Sequence, residues 1–259
     1  MVKITTHTIV KNEENWVGYA IKSVLPFASQ MLIADDNSSD RTAEIVKSIK
    51  DPKIKFSKEN LKSAAEHTAL RNKMLAETKT DWFLILDGDE VWNFNTFQRL
   101  LVFLESLDKS VYGVVVPFRN CVGDVWHYLP EETGGYQLLE RVGNITIRAY
   151  RKIPGFKWVG DYPLEAYVDD IGIPTNSQPD RLRFFDGFYW HLTHLPRSSF
   201  GGKVKGWRKT KIEKGTRVVD KKELPEVFDD KAHRKRSALF ETAATLATPF
   251  KIIKRGLKI

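Results

Sequence analysis

The sequence predicts an α/β protein with a mostly parallel sheet and helices on both of its faces. Three observations carry that reading. Along residues 1–118, β-branched and apolar stretches of strand length alternate with amphipathic stretches of helical length, the pattern of right-handed βαβ units. Trp82 to Leu86 is continuously apolar, as suits a strand buried on both faces. Three of the strands run into polar, carboxylate-rich loops, and open α/β sheets bind their ligands at that carboxyl edge.

Taken in order, Val2 to Val10 is a β-branched strand that ends in Lys11-Asn12-Glu13-Glu14-Asn15. Trp16, Val17, Ala20, Ile21, Val24 and Leu25 follow at helical spacing, and Pro26 stops them. Met31 to Ala34 is the second strand, leading through Asp35-Asp36-Asn37-Ser38-Ser39-Asp40 into a helix that carries Ala43, Ile45, Val46 and Ile49. The third strand is Ile54 to Phe56. Ser63-Ala64-Ala65-Glu66 opens the next helix as a capping box, in which the Ser and Glu side chains exchange bonds with free amides. That helix carries Arg71-Asn72 and stops near Thr78. The Asp81 to Leu86 strand, a helix with Phe97, Leu100, Leu101, Leu104 and Leu107 on one face, and a strand over Val111 to Phe118 complete this half.

From Asn120 the pattern changes. Gly123, Gly134, Gly135, Gly143 and Gly155 punctuate short aromatic and β-branched runs such as Asn144 to Tyr150, which predict antiparallel strands or loops inserted over the sheet's carboxyl edge. A strand near Arg183 to Trp190 precedes His191, and after Pro196 the chain reads as basic and helical. The predicted organisation is a catalytic domain over 1–200, with halves 1–118 and 119–200, and a basic helical extension over 201–259.

Composition narrows the functional classes. The chain has 259 residues, 42% hydrophobic and 29% charged, with one cysteine and a formal net charge of +8. That is enough chain for a full core. One cysteine, Cys121, excludes an intrachain disulfide and a Cys-rich metal site, and with no signal-peptide pattern or apolar run of spanning length the expected setting is cytoplasmic. The positive charge favours anionic partners. Nucleic acid is not expected, because the basic residues concentrate near the C-terminus whereas the cleft loops are acidic.

Asp87-Gly88-Asp89-Glu90 closes the buried strand. Two aspartates flanking a glycine can face one hard cation that also shares phosphate oxygens; they can equally form a polar turn. Three carboxylate-bearing loops at one sheet edge are electrostatically costly without compensation, for which Lys11, Arg71 and a cation held by Asp89 are the candidates.

Together these segments resemble the family 2 glycosyltransferases of the glycosyltransferase-A fold. The matching features are Val10-Lys11-Asn12-Glu13-Glu14, Asp35-Asp36-Asn37-Ser38-Ser39-Asp40, Arg71-Asn72 and Asp87-Gly88-Asp89-Glu90, in that order. The resemblance is strong over the first half and weaker beyond it. It implies a Rossmann-like mostly parallel sheet with a C-terminal acceptor-side insertion and a helical tail. It also implies transfer of a hexose-type sugar, with inversion, from a nucleotide diphosphate donor to a saccharide or lipid-linked acceptor in cell-envelope glycan assembly.

Residue by residue, Asp36 looks like the nucleobase ligand, with the backbone near Thr8 to Val10 beside it, and favours a UDP-sugar; Asp87 would meet the ribose. Asp89 resembles the ligand of a divalent cation, Mg2+ or Mn2+, on the diphosphate. Arg71 would steady the diphosphate or the aspartates, Lys11 and Glu13 would border the donor, and His191 is a further metal or diphosphate candidate. Phe156 to Glu165 is similar to an aromatic-x-Gly segment of lipopolysaccharide-core-type members that precedes His-Glu. Here no histidine precedes Glu165, so the acceptor base is Glu165 first and Asp161 second. The competing readings are a nucleotidyltransferase, whose Gly-rich first loop is missing, and a non-catalytic carbohydrate- or nucleotide-binding module. For the tail, where Leu239, Phe240, Leu246, Phe250, Ile252 and Ile253 mix with Lys251, Lys254 and Arg255, two readings stand. One is peripheral contact with the inner face of an anionic membrane; the other is a helix packed on the domain with a solvated basic face.

Overall fold

The structure is a computed structural model that describes residues 2–198 and 211–256. Lys203, Lys205, Arg208 and Lys209, on which the basic stretch after Pro196 rests, lie outside the described residues, as do Leu257, Lys258 and Ile259.

The N-terminal half follows the predicted alternation: β1 (Ile4–Val10), α1 (Val17–Val24), β2 (Gln30–Asp36), α2 (Thr42–Ser48), β3 (Ile54–Glu59), α3 (Ala64–Glu77) and β4 (Trp82–Ile85). β1 lies between β2 and β4 and is parallel to both, with Thr5 beside Gln30 and Phe83. Its β-branched residues suit that doubly covered position. Ser63 caps α3 by accepting from the Glu66 amide, but Glu66 reaches back to the Lys62 amide at 2.8 Å, one residue earlier than the capping box requires.

β5 (Glu90–Val91), α4 (Phe94–Ser106), β6 (Gly113–Val122), β7 (Asp124–Tyr128), β8 (Tyr136–Leu138), β9 (Arg141–Gly143) and β10 (Ile145–Arg151) come next. The sheet is mostly parallel, as expected, with an antiparallel strand at its centre. β10 enters the main sheet between β4 and β6 and is antiparallel to both, so the sheet order runs β7-β6-β10-β4-β1-β2-β3. Residues beyond Asn120 are therefore not only an insertion over the edge: one of their strands is central. Ile145 and Ile147 pack with Val115 and Leu182, whereas Ala149, beyond an irregularity in the register after Ile147, packs into the main core with Val114 and Leu84. Thr146, Ile147, Arg148 and Tyr150 line the cleft.

β11 (Lys157–Val159) and β12 (Ala166–Val168) form a hairpin packed on α3, and β13 (Leu182–Phe184) and β14 (Tyr189–His191) each run parallel to β6. The single strand expected near residues 183–190 is thus two, separated at Phe185-Asp186-Gly187-Phe188, where Phe185 turns into the main core.

After the undescribed segment come β15 (Thr216–Arg217), which pairs with β7, and α5 (Ala238–Gly256). Helix is confined to α5 there, apart from one short turn at Lys221–Glu223. Val218, Leu224, Phe228 and Ala232 share a core with Cys121, Val125 and Trp190, so the stretch set apart after residue 200 packs into the same body from Val218 to Ala232. No helix among the described residues is long and apolar enough to cross a membrane.

His7, in the middle of β1, is fully buried, stacks on Phe83 at 4.7 Å and lies 2.6 Å from the Thr78 hydroxyl. Burial, reinforced by Arg71 and Lys152, lowers its pKa to about 3. A histidine lowered on folding is neutral in the native state and takes up a proton on unfolding below pH 6.5, so stability falls as pH drops through that window. At about 1.4 kcal/mol per pH unit, moving from pH 6.5 to 5 costs about 2 kcal/mol. Urea denaturation at the two pH values measures it, and unchanged midpoints contradict a neutral buried His7.

Candidate active site

The carboxyl ends of β1, β2 and β4 meet in a cleft of about 430 Å³. Its floor is stitched together by side chains. Asn12, at φ 57°, accepts from the Ser39 amide at 2.8 Å and its own amide donates to Ser38, while the Glu13 amide donates to Thr42 at 2.7 Å. The loops after β1 and β2 are thus one rim. Gly88 belongs to this construction too: a Cβ there would lie 2.8 Å from Val10 and 3.1 Å from Glu13, so only glycine lets the β4 loop approach β1.

Each cleft carboxylate has a cation beside it. Lys11 pairs with Asp36 at 2.9 Å, and the other Asp36 oxygen accepts from the Leu61 amide at 2.8 Å. Asp87 pairs with Arg148 at 3.2 Å, and Arg148 also binds Glu90 and donates to the Tyr189 hydroxyl at 2.9 Å. Burial raises Glu90 to about 7 against the pull of Arg148. Arg197 bridges Glu13 at 3.0 Å and Asp89 at 2.7 Å. The His191 ring lies 3.5 Å from the other Asp89 oxygen. Burial alone would raise the Asp89 pKa, but His191 and Arg197 more than offset it and hold the group well below the usual carboxylate range.

The far wall is built by α3. Thr68 donates to the Gly160 carbonyl at 2.7 Å, and Asn72 exchanges two bonds of 2.9 Å with the backbone of Trp158. These contacts fix the β11–β12 hairpin and the loop between its strands. Arg71 is buried, with its guanidinium 5.4 Å from the Trp158 ring centre, and it pairs with Glu165 at 2.9 Å. The structure therefore gives Arg71 to Glu165 rather than to the aspartates, because α3 faces the hairpin and not the β4 loop. The second Glu165 oxygen is buried and has no hydrogen-bond partner among the described residues. His67 approaches Glu165 at 3.9 Å and packs against Tyr162, with ring centres 4.0 Å apart.

Lys11, Glu13, Asp36, Arg71, Asp87, Asp89 and Glu165 thus line one cleft. His191 stands behind Asp89. Asp161 does not join them: it is exposed, outside the lining, and its carbonyl accepts from Leu164 in a turn. Asp89, although it follows the end of the strand, is almost fully buried. Arg148, Arg197, His67 and Tyr162 went unnoticed in the sequence. Of these, only Arg148 leaves a local trace, a lone charge within the alternating run Ile145 to Tyr150.

Comparison with known proteins agrees with this geometry. The family description "Glycosyl transferase family 2" matches residues 5–189. Among solved structures, S. aureus TarS 1-349 in complex with UDP-GlcNAc superimposes with a TM-score of 0.50 at 15% identity, covering 73% of this chain and 58% of that one. Glucosyl-3-phosphoglycerate synthase from Mycobacterium tuberculosis in complex with Mn2+ and UDP-glucose matches at 17% identity with a TM-score of 0.37, covering 46% of this chain and 44% of that one. The chain spans about three fifths of the length of the TarS structure. No curated protein matches. With the family match covering most of the chain, the chain belongs to glycosyl transferase family 2 and has the glycosyltransferase-A fold, which sets aside the nucleotidyltransferase and binding-module readings.

Proposed function

We propose that the protein transfers a sugar, with inversion, from a nucleotide diphosphate, UDP favoured, to a hydroxyl of a saccharide or lipid-linked acceptor. The observation that carries this reading is the opposition, across one cleft, of a row of aspartates and Glu165, whose second oxygen is buried without a hydrogen-bond partner among the described residues. Asp36 would accept the imide N–H of a uracil beside the β1 backbone, and Asp87 would accept from the ribose. Glu165, oriented through its other oxygen by Arg71, takes the proton of the acceptor hydroxyl as that oxygen attacks the anomeric carbon. The bond from that carbon to the diphosphate breaks on the opposite side, which inverts the centre.

No three acidic, histidine or cysteine side chains converge as a ready-made metal site among the described residues. The donor chemistry near Asp89 nevertheless suits Mg2+ or Mn2+: a carboxylate oxygen and an imidazole nitrogen lie 3.5 Å apart, and Asp89 borders the cleft where diphosphate oxygens would supply further ligands. Asp89 and His191 would hold the cation, which when bound neutralises the leaving diphosphate. Titrating a panel of nucleotide sugars with Mn2+ or Mg2+ tests the reading by thermal stabilisation and slow donor hydrolysis; no response to any donor rejects it. Asp89→Asn weakens metal-dependent nucleotide binding by about tenfold or more while metal-free binding persists. It also costs about 1–3 kcal/mol of stability, because it breaks a buried pair whose Arg197 partner is partly solvated. If Mn2+ tightens nucleotide binding equally in both proteins, the cation lies elsewhere.

A further inference from the structure

α5 is mounted the wrong way round for a helix whose outer side meets water. A surface helix ordinarily turns its apolar stripe to the core and its charges outward. In α5 the side facing the body carries Ala244, its one buried residue, together with Thr248, Lys251 and Arg255. Thr248 accepts from the Lys214 amide at 2.8 Å, Lys251 donates to the Ile212 carbonyl at 2.8 Å, and Arg255 pairs with Glu213 at 2.6 Å. The start of the helix is anchored by Arg236, which is buried and pairs with Glu241 at 2.8 Å, and by Phe240 beside Gly123. The large apolar residues point away: Leu239 is 81% exposed, Leu246 67%, Phe250 75% and Ile253 60%. Successive steps of seven, four and three residues place all four on one face. This is the reverse of a packed helix with a solvated basic face.

Charge identifies what covers the stripe. Residues 231–259 contain eight lysines and arginines against one acidic residue, Glu241, so they hold +7 of the chain's net +8. Glu241 is itself tied inward to Arg236. The outward face therefore offers leucine, isoleucine and phenylalanine flanked by the exposed Lys254, with no carboxylate. Apolar side chains along the centre with Lys254 beside them and no carboxylate to repel anionic headgroups suit the boundary between those headgroups and acyl chains. A nucleic acid would instead require cations along the centre of the face. α5 is also too polar to span a bilayer, so it lies along the surface.

We propose that the face of α5 formed by Leu239, Leu246, Phe250 and Ile253 is a docking surface for an anionic lipid membrane. Its anchors to Glu213, Ile212 and Lys214 hold the catalytic body at a fixed attitude above the lipid. Flotation of the full chain with vesicles of phosphatidylcholine alone, or containing about one third phosphatidylglycerol, tests this. The wild type floats with the anionic vesicles and much less with the neutral ones. The double variant Leu246→Ser/Phe250→Ser, altered only at exposed positions, loses at least about tenfold in partitioning, whereas its melting temperature and nucleotide affinity stay as in the wild type. Lys254→Glu weakens flotation in low salt. Equal flotation of wild type and double variant overturns the proposal. So does a wild type that ignores vesicles but forms a dimer that the double variant abolishes, since a second copy then covers the face.

Discussion

Exchanging Glu165 for glutamine lowers turnover by about 10²-fold or more, the scale that a positioned general base contributes, while the nucleotide dissociation constant barely moves. Glutamine keeps the shape and an oxygen for the Arg71 guanidinium, which now lies 2.9 Å from the carboxylate; what it lacks is an oxygen basic enough to take a proton. Asp36, Asp87 and Asp89 line the opposite wall and are untouched. A fall in kcat with nucleotide affinity preserved marks an interaction made in the transition state, whereas parallel loss of both would mark a collapsed cleft. Calorimetric titration of UDP beside a transfer assay separates the two. Asp161→Asn is the control, because its exposed side chain stands outside the cleft. If Asp161→Asn silences transfer and Glu165→Gln does not, the base is misassigned.

The largest loss of stability is expected at Arg148. Its guanidinium joins Glu90, Asp87 and Tyr189, and Glu90 has no exposed surface. Arg148→Met fills a similar volume but takes the cation from Glu90, which burial already raises to about 7 and which then has to take up a proton to stay inside, and from Asp87 and Tyr189. The loss is about 3 kcal/mol, the lower end for a buried pair broken from one side. Adding Glu90→Gln to Arg148→Met recovers most of that loss, since no carboxyl group is then buried without its partner. Urea midpoints of the wild type, the single and the double variant measure the cycle. A single-variant loss below about 1 kcal/mol would mean that water already reaches Glu90 and that the pair does not hold the β4 loop in place.

The contrast between these two sites explains what could be read from the sequence. β1 to β4 and their helices were legible because each repeats a local rule: a short β-branched run, a polar loop, then apolar residues at helical spacing. The cleft carboxylates were legible for the same reason, as charges at the ends of apolar runs. Their partners were not. Arg148 meets Asp87 only because β10 pairs with β4, and Arg197 meets Asp89 only because the chain after β14 returns to the β1 loop, where Trp16 donates to the Pro196 carbonyl at 2.6 Å. Arg71 was visible as a residue but its pairing with Glu165 was not, since the helix face it occupies is decided by the hairpin packed on it. Asp161 and Glu165 are equivalent as sequence acids; the turn from Asp161 to Leu164 separates them, leaving one in solvent and the other in the cleft.

β10 also bears on how the protein is made. During synthesis, β1 to β4 emerge first, as a parallel sheet whose β4 side is bare. The strand that covers that side is not encoded until residues 145–151. Until those residues leave the ribosome, the chain carries an open strand edge of the kind through which partly folded proteins misassociate. A fragment ending at residue 118 keeps that edge permanently, although it already contains Asp36, Asp87 and Asp89. The N-terminal half is therefore no portable cassette: gene fusion or truncation near residue 118 severs one folding unit, and a workable splice point must lie beyond Arg151.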